Sequence, residues 1–165
     1  MIVHPLEPIF DAHSKILILG TMPSPQSRTH GFYYAHPQNR FWPVLSQLFA
    51  QEIPSDPVGR TGFLLAHGIA LWDVLRSCEI KNADDGSIRN PVANDLSLIF
   101  DCADIRAVFT TGRKATVLYE QHCRNGSGAP PPQYLPSTSP ANCRYTVEVL
   151  TAYYRSILPY IGLSL

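Results

Sequence analysis

The chain has 165 residues, 45% of them hydrophobic, and its 13 basic and 13 acidic side chains cancel. That length and apolar content predict one globular domain over residues 1–165, with no repeat and no linker. A run of about 18 apolar residues is absent, which argues against a membrane-spanning helix, and zero net charge argues against a broad surface that coats polyanions nonspecifically, while leaving room for a local basic rim.

Residues 1–8 lack the basic-then-apolar pattern of a secretory leader. Cys78, Cys102, Cys123 and Cys143 are scattered without a C-x-x-C pair. They read as reduced thiols of a cytoplasmic protein, and their spacing argues against zinc or an iron–sulfur cluster.

In chain order, residues 15–20 are apolar without a break up to Gly20, the pattern of a strand buried on both faces. Residues 21–39 are expected to form a long loop, kept from disorder by Phe32, Tyr33 and Tyr34. Phe41, Val44, Leu45, Leu48 and Phe49 make a helical stripe over 40–51, and 57–67 forms a second helix stopped near Gly68. Ile69 to Trp72 is a second strand. Residues 79–91 are polar and read as a loop, and 92–101 as a short helix. Residues 105–110 form a third strand, turned by Thr111-Gly112-Arg113 into a helix over 113–123. A loop over 124–132 leads to a fourth strand at 133–136, and a C-terminal helix starts within 145–154. Alternation of strand and helix implies right-handed crossovers, hence an α/β three-layer sandwich: a central four-stranded parallel sheet with helices on both faces.

In such a sheet, loops at the carboxyl ends of strands line one crevice, and ligands bind there. Two loops qualify: Gly20-Thr21-Met22-Pro23-Ser24 after the first strand, and Leu135-Pro136-Ser137-Thr138-Ser139-Pro140 after the fourth. Proline stiffens each backbone, and serine hydroxyls and backbone amides suit phosphate oxygens. Arg28, Arg40, Arg113, Lys114 and Arg144 tip the local charge toward basic. The Walker, G-x-G-x-x-G, G-x-S-x-G and H-E-x-x-H signatures are all absent. What remains is Gly31 to Trp42, which sets aromatics beside an amide. Aromatic faces stack on nucleobases, and an amide can read a base edge.

Residues 20–42, GTMPSPQSRTHGFYYAHPQNRFW, together with 135–140, LPSTSP, resemble the two motif regions of the uracil-DNA glycosylase superfamily, nearest to its hypoxanthine-DNA (deoxyinosine) branch. Gly68 to Val74 and Val108 to Ala115 stand where that family has its second and third strands. The resemblance implies a monofunctional DNA N-glycosylase of base excision repair. It would flip a deaminated base, most often hypoxanthine, and excise it hydrolytically without metal or organic cofactor. Its partner would be DNA, met beside the nucleoid, and it would act as a monomer without an obligate protein partner.

Uracil-specific relatives carry Asp or Asn in the first loop, and many open the second motif with His. Here the first loop offers only Thr21, Met22, Pro23 and Ser24, and Leu135 stands in the second position. That pattern resembles the deoxyinosine branch, and the resemblance implies Asn39 as the catalytic candidate. Gly20, Thr21, Met22, Phe32, Tyr33 and Tyr34 are expected to bind the base. Ser24, Ser27, Arg113, Lys114, Pro136, Ser137, Thr138, Ser139 and Pro140 are expected to bind DNA. Each has a plainer reading: Asn39 as a helix cap, the tyrosines as loop packing, Pro136 and Ser137 as a strand-end turn, Arg113 and Lys114 as solvated cations. A mismatch-type uracil or thymine glycosylase, a noncatalytic DNA-damage binder and a hydrolase of free nucleosides stay open on the sequence alone.

Overall fold

A computed structural model describes residues 1–124 and 128–164. The buried apolar run is strand β2, Ile16–Gly20, whose five residues are all buried. With β3 (Ile69–Asp73), β6 (Ala107–Thr111) and β7 (Pro132–Leu135) it forms a parallel sheet in the spatial order β3-β2-β6-β7. The first three strands are buried throughout, as expected of strands covered on both faces. Helices α2 (Phe41–Phe49), α3 (Pro57–Ala66), α5 (Arg113–His122) and α6 (Val147–Tyr154), with a closing 3-10 turn at Arg155–Ile161, flank the sheet. The expected α/β architecture with a four-stranded parallel sheet therefore holds. Chain order reverses at β2, because β3 lies on one side of it and β6 on the other. That reversal opens a crevice beyond the carboxyl end of β2.

Three expectations are corrected. Residues 79–91 are not a loop: β4 (Leu75–Lys81) and β5 (Asp84–Ala93) form an antiparallel hairpin, joined at its edge by β1 (Ile2–Val3) in a second sheet. Its strands are one-sided, burying Cys78 and Ile88 while exposing Glu79, Lys81 and Arg89, so their composition is polar although the backbone is extended. The helix expected at 92–101 shrinks to α4, Ser97–Phe100, because 92–93 belong to β5. The loop over 21–39 contains a short helix α1, Pro25–His30. Ser24 caps it by accepting from Ser27 N–H, Pro25 opens it, and Gly31 closes it at φ 73°, an unstrained value only for glycine. The expected loop over 124–132 lies partly outside the described residues, at 125–127. Among the described residues no helix is long and apolar enough to cross a membrane.

Candidate active site

A cleft of about 290 Å³ lies at the carboxyl edge of the parallel sheet. Gly20 ends β2, Asp73 ends β3 and Thr111 ends β6, and all three line it. The two loops singled out in the sequence meet there as well: Thr21 to Ser24 on one side, and Ser137, Ser139, Pro140 and Ala141 on the other.

Asn39 sits where the two loops join. Its Oδ1 accepts the backbone N–H of Phe41 at 2.9 Å, opening α2, and the hydroxyl of buried Thr138, also at 2.9 Å. Asn39 is not the N-cap of α2, which is Arg40 without a side-chain cap; it closes a turn just ahead of the helix, through the oxygen alone. With Oδ1 committed, the amide orientation is fixed, and Nδ2 donates to no described residue while the side chain lines the cleft. The two bonds to the oxygen thus present an oriented, unspent donor.

Arg40, expected at a basic rim, turns inward. Its guanidinium donates to the carbonyls of Ser139, Asn142 and Tyr145, while its backbone N–H donates to Thr138 O. Asn142 Nδ2 donates to Ser137 O at 2.9 Å. The second loop is consequently a braced projection. Within it the Ser137 and Ser139 hydroxyl oxygens accept from the backbone N–H of Ser139 and Ala141, leaving both O–H groups able to donate.

The aromatic run divides. Tyr33 lines the cleft but is nearly all buried: 3% exposed, its hydroxyl donates to Glu7 O, and burial, with Asp73 next, raises its pKa. Phe32 stacks on Trp42 and does not line the cleft. Tyr34 does line it, stacked on Phe41 with centroids 4.0 Å apart. Its φ of 53° is the left-handed region, which a bulky residue enters only when its surroundings enforce it. Burial, then Asp73, keeps its phenol protonated by raising its pKa.

The DNA-binding candidates also divide. Ser24 and Ser27 line the cleft, but Ser24 caps α1, and buried Ser27 accepts from Ala35 N–H. Pro136 is buried and away from the cleft, its carbonyl taken by the Tyr154 hydroxyl. Arg113 is exposed at the start of α5; Lys114 is half-buried, and its charge bears on Asp85. Gly20, Thr21 and Met22 are lining residues as expected.

Two carboxylates that sequence reasoning did not single out also line the cleft. Asp73 is buried and paired with His4, Nε2 to Oδ2, at 2.7 Å. Leu6 N–H donates to His4 Nδ1, so the ring proton sits on Nε2 and is given to Asp73. A Cβ on Gly20 would lie 2.4 Å from Asp73 Oδ1, so only glycine admits the carboxylate there. Asp85 comes from the hairpin, its Oδ2 accepting the Thr21 hydroxyl at 3.1 Å. Burial raises its pKa, with Asp73 and Asp84 adding to the effect and Thr21 and Lys114 opposing it. Among the described residues no three His, Cys, Asp or Glu side chains gather as a metal site would need.

A doubly wound parallel sheet with a base-sized cleft at its switch point defines the class. Residues 7–160 match the Uracil DNA glycosylase superfamily, and the chain belongs to that superfamily. It is 31% identical over 140 residues to a hypoxanthine DNA glycosylase of Methanosarcina acetivorans, spanning 84% of this chain and 87% of the relative. It is also 31% identical over 110 residues to a hypoxanthine DNA glycosylase of Methanosarcina barkeri, spanning 66% and 70%. The solution NMR structure of a candidate uracil DNA glycosylase from Methanosarcina acetivorans superposes with a TM-score of 0.76 at 28% identity, covering 95% of this chain and 99% of that one.

Proposed function

We propose that this protein hydrolyses the N-glycosidic bond of a deaminated base in DNA, prefers hypoxanthine, and leaves an abasic site. The observation that carries the reading is Asn39, whose oxygen is locked and whose Nδ2 is free in the cleft. Breaking the bond places negative charge on the leaving base, and a fixed donor aimed at that base lowers the barrier. A duplex hides the bond, so the nucleotide must first be flipped out. The projection at 137–141, braced by Arg40 and stiffened by Pro140, fits the vacated stack. Tyr34, rather than Tyr33 or Phe32, offers the platform for the base. Ser137, Ser139 and exposed Arg113 suit the flanking phosphates. Two relatives are named for hypoxanthine, and the proposed choice of base follows that likeness.

Water is the only co-reactant. A lyase would need an amine to form a Schiff base, and no described lysine lines the cleft; the charge of Lys114 bears on Asp85. Duplexes carrying inosine, uracil, xanthine or mismatched thymine, treated with enzyme and then alkali, test the reading. Strand breaks strongest at inosine, with no protein–DNA adduct under borohydride, are expected. Cleavage of uracil duplexes at an equal or greater rate would overturn the substrate, and no cleavage of any duplex would leave a DNA-damage binder.

A further inference from the structure

We propose that Asp85 is the group that takes the proton of the attacking water. The inference rests on the hydrolytic reading above and supplies a step that Asn39, a donor, cannot perform. The first loop holds no carboxylate of its own. The hairpin brings one to it, since Asp85 and Ala83 line the cleft opposite the second loop and Thr21 anchors Asp85 through Oδ2.

The placement is built rather than incidental. At the hairpin tip Lys81 pairs with Asp84, and Asn82 turns the chain at φ 54°. Gly86 N–H donates to Asp84 Oδ1, and the Ser87 hydroxyl bridges Lys81 N–H and Asp84 O. Asp84 is spent on this brace at the surface, while the next residue, Asp85, points inward. Its Oδ1 accepts from no described residue, which leaves one carboxylate oxygen free for water.

Asp73 is less suited. One of its oxygens receives the His4 proton, and the other lies against Gly20. A half-buried carboxylate also makes sense in a cleft meant for anionic DNA only where positive charge develops, and the sugar becomes cationic as the bond breaks. Burial strengthens Asp85 as a base, in the direction that general-base catalysis near neutral pH requires.

In the proposed step the bond between C1′ and the base nitrogen breaks, and its electron pair leaves with the base. Water oxygen bonds to C1′, and one water proton passes to Asp85. Asp85 then returns that proton through solvent to the base anion, so sugar hydroxyl and neutral base are the products.

The test is single-turnover cleavage across pH, on whichever duplex of the panel the wild type cleaves fastest. Asp73, Asp84, Lys114, Thr21 and Cys78 surround Asp85; burial first, then Thr21, Asp73, Lys114 and Asp84 act on its titration. The wild-type rate should fall on acidification, with its midpoint above the ordinary carboxylate range. Asp85→Asn should lose about 10²-fold or more at neutral pH and lose the acid limb. Asn39→Asp should be slow yet keep that limb. Asp84→Asn, at the exposed brace, should cleave normally, with the limb moved to lower pH. Folding of each variant is checked by melting and by retained duplex affinity. An Asp85→Asn protein that is folded, binds DNA and keeps the wild-type rate and limb would overturn the proposal. A wild type that cleaves none of the duplexes would instead overturn the hydrolytic reading itself.

Discussion

Replacing Asn39 in two ways separates its structural oxygen from its chemical nitrogen. Asn39→Ala removes the acceptor that holds Phe41 N–H at the start of α2 and the partner of Thr138, which is 1% exposed. Loss of the bond to Phe41 N–H costs about 1 kcal/mol, and a buried unsatisfied hydroxyl about 1–3 kcal/mol, so a loss of roughly 2–4 kcal/mol is expected. Asn39→Asp keeps the oxygen that Phe41 N–H and Thr138 use, and an anion at a helix start is tolerated or favoured. Its second oxygen, however, replaces the donor with an acceptor, so the departing base loses its stabiliser. Single-turnover cleavage should then fall by about 10²–10³-fold, the scale of one lost oxyanion donor. Melting curves and rapid-quench cleavage of an inosine duplex, with enzyme in excess, give both numbers. An Asn39→Asp protein of wild-type rate would return Asn39 to a structural role, and an Asn39→Ala protein as stable as wild type would refute the shared-oxygen geometry.

Three further outcomes follow from the cleft. Gly20→Ala should destabilise by about 1–3 kcal/mol by melting, because its Cβ meets an Asp73 oxygen held by His4; an unchanged melt would show that this carboxylate is free to move. Arg40→Lys cannot reach three carbonyls with one ammonium, so amide exchange over 137–142 should quicken and duplex affinity should drop, while unchanged exchange would dismiss the brace. Asp85 has a folded pKa raised above its unfolded value, so the folded state binds the proton more readily and stability falls as pH rises through that window. Asp85→Asn should therefore melt higher than wild type near neutral pH, and the gain should shrink below the ordinary carboxylate range; a variant less stable at neutral pH would show that ionised Asp85 is well paired.

The sheet was legible because β2, β3 and β6 are covered on both faces and so read as unbroken apolar runs. The two loops were legible through their proline and serine content, and Asn39 as an amide beside aromatics in a segment that resembles a family motif. The hairpin was not, because one exposed face fills its sequence with polar residues, although Asn82-Ala83-Asp84-Asp85-Gly86 is a turn signal between extended runs. Asp85 was missed along with it. Asp73 was hidden at the end of a strand, and His4 reaches it only because β1 joins β4, with Ile2 opposite Cys78 and Val3 opposite Ser77. Arg40 looked like a rim cation because sequence does not show which way a side chain turns. Tyr33 and Tyr34 both line the cleft, but Tyr33 is nearly fully buried and spends its hydroxyl on Glu7 O, whereas Tyr34, in a left-handed backbone, stacks on Phe41.

The most direct measurement is internal competition. One duplex pool, half carrying inosine and half uracil in the same sequence context, is incubated with limiting enzyme, and the free bases are quantified by chromatography. The account predicts hypoxanthine released ahead of uracil, with Asn39→Asp suppressing the release. Uracil released first, or at an equal rate, would contradict it.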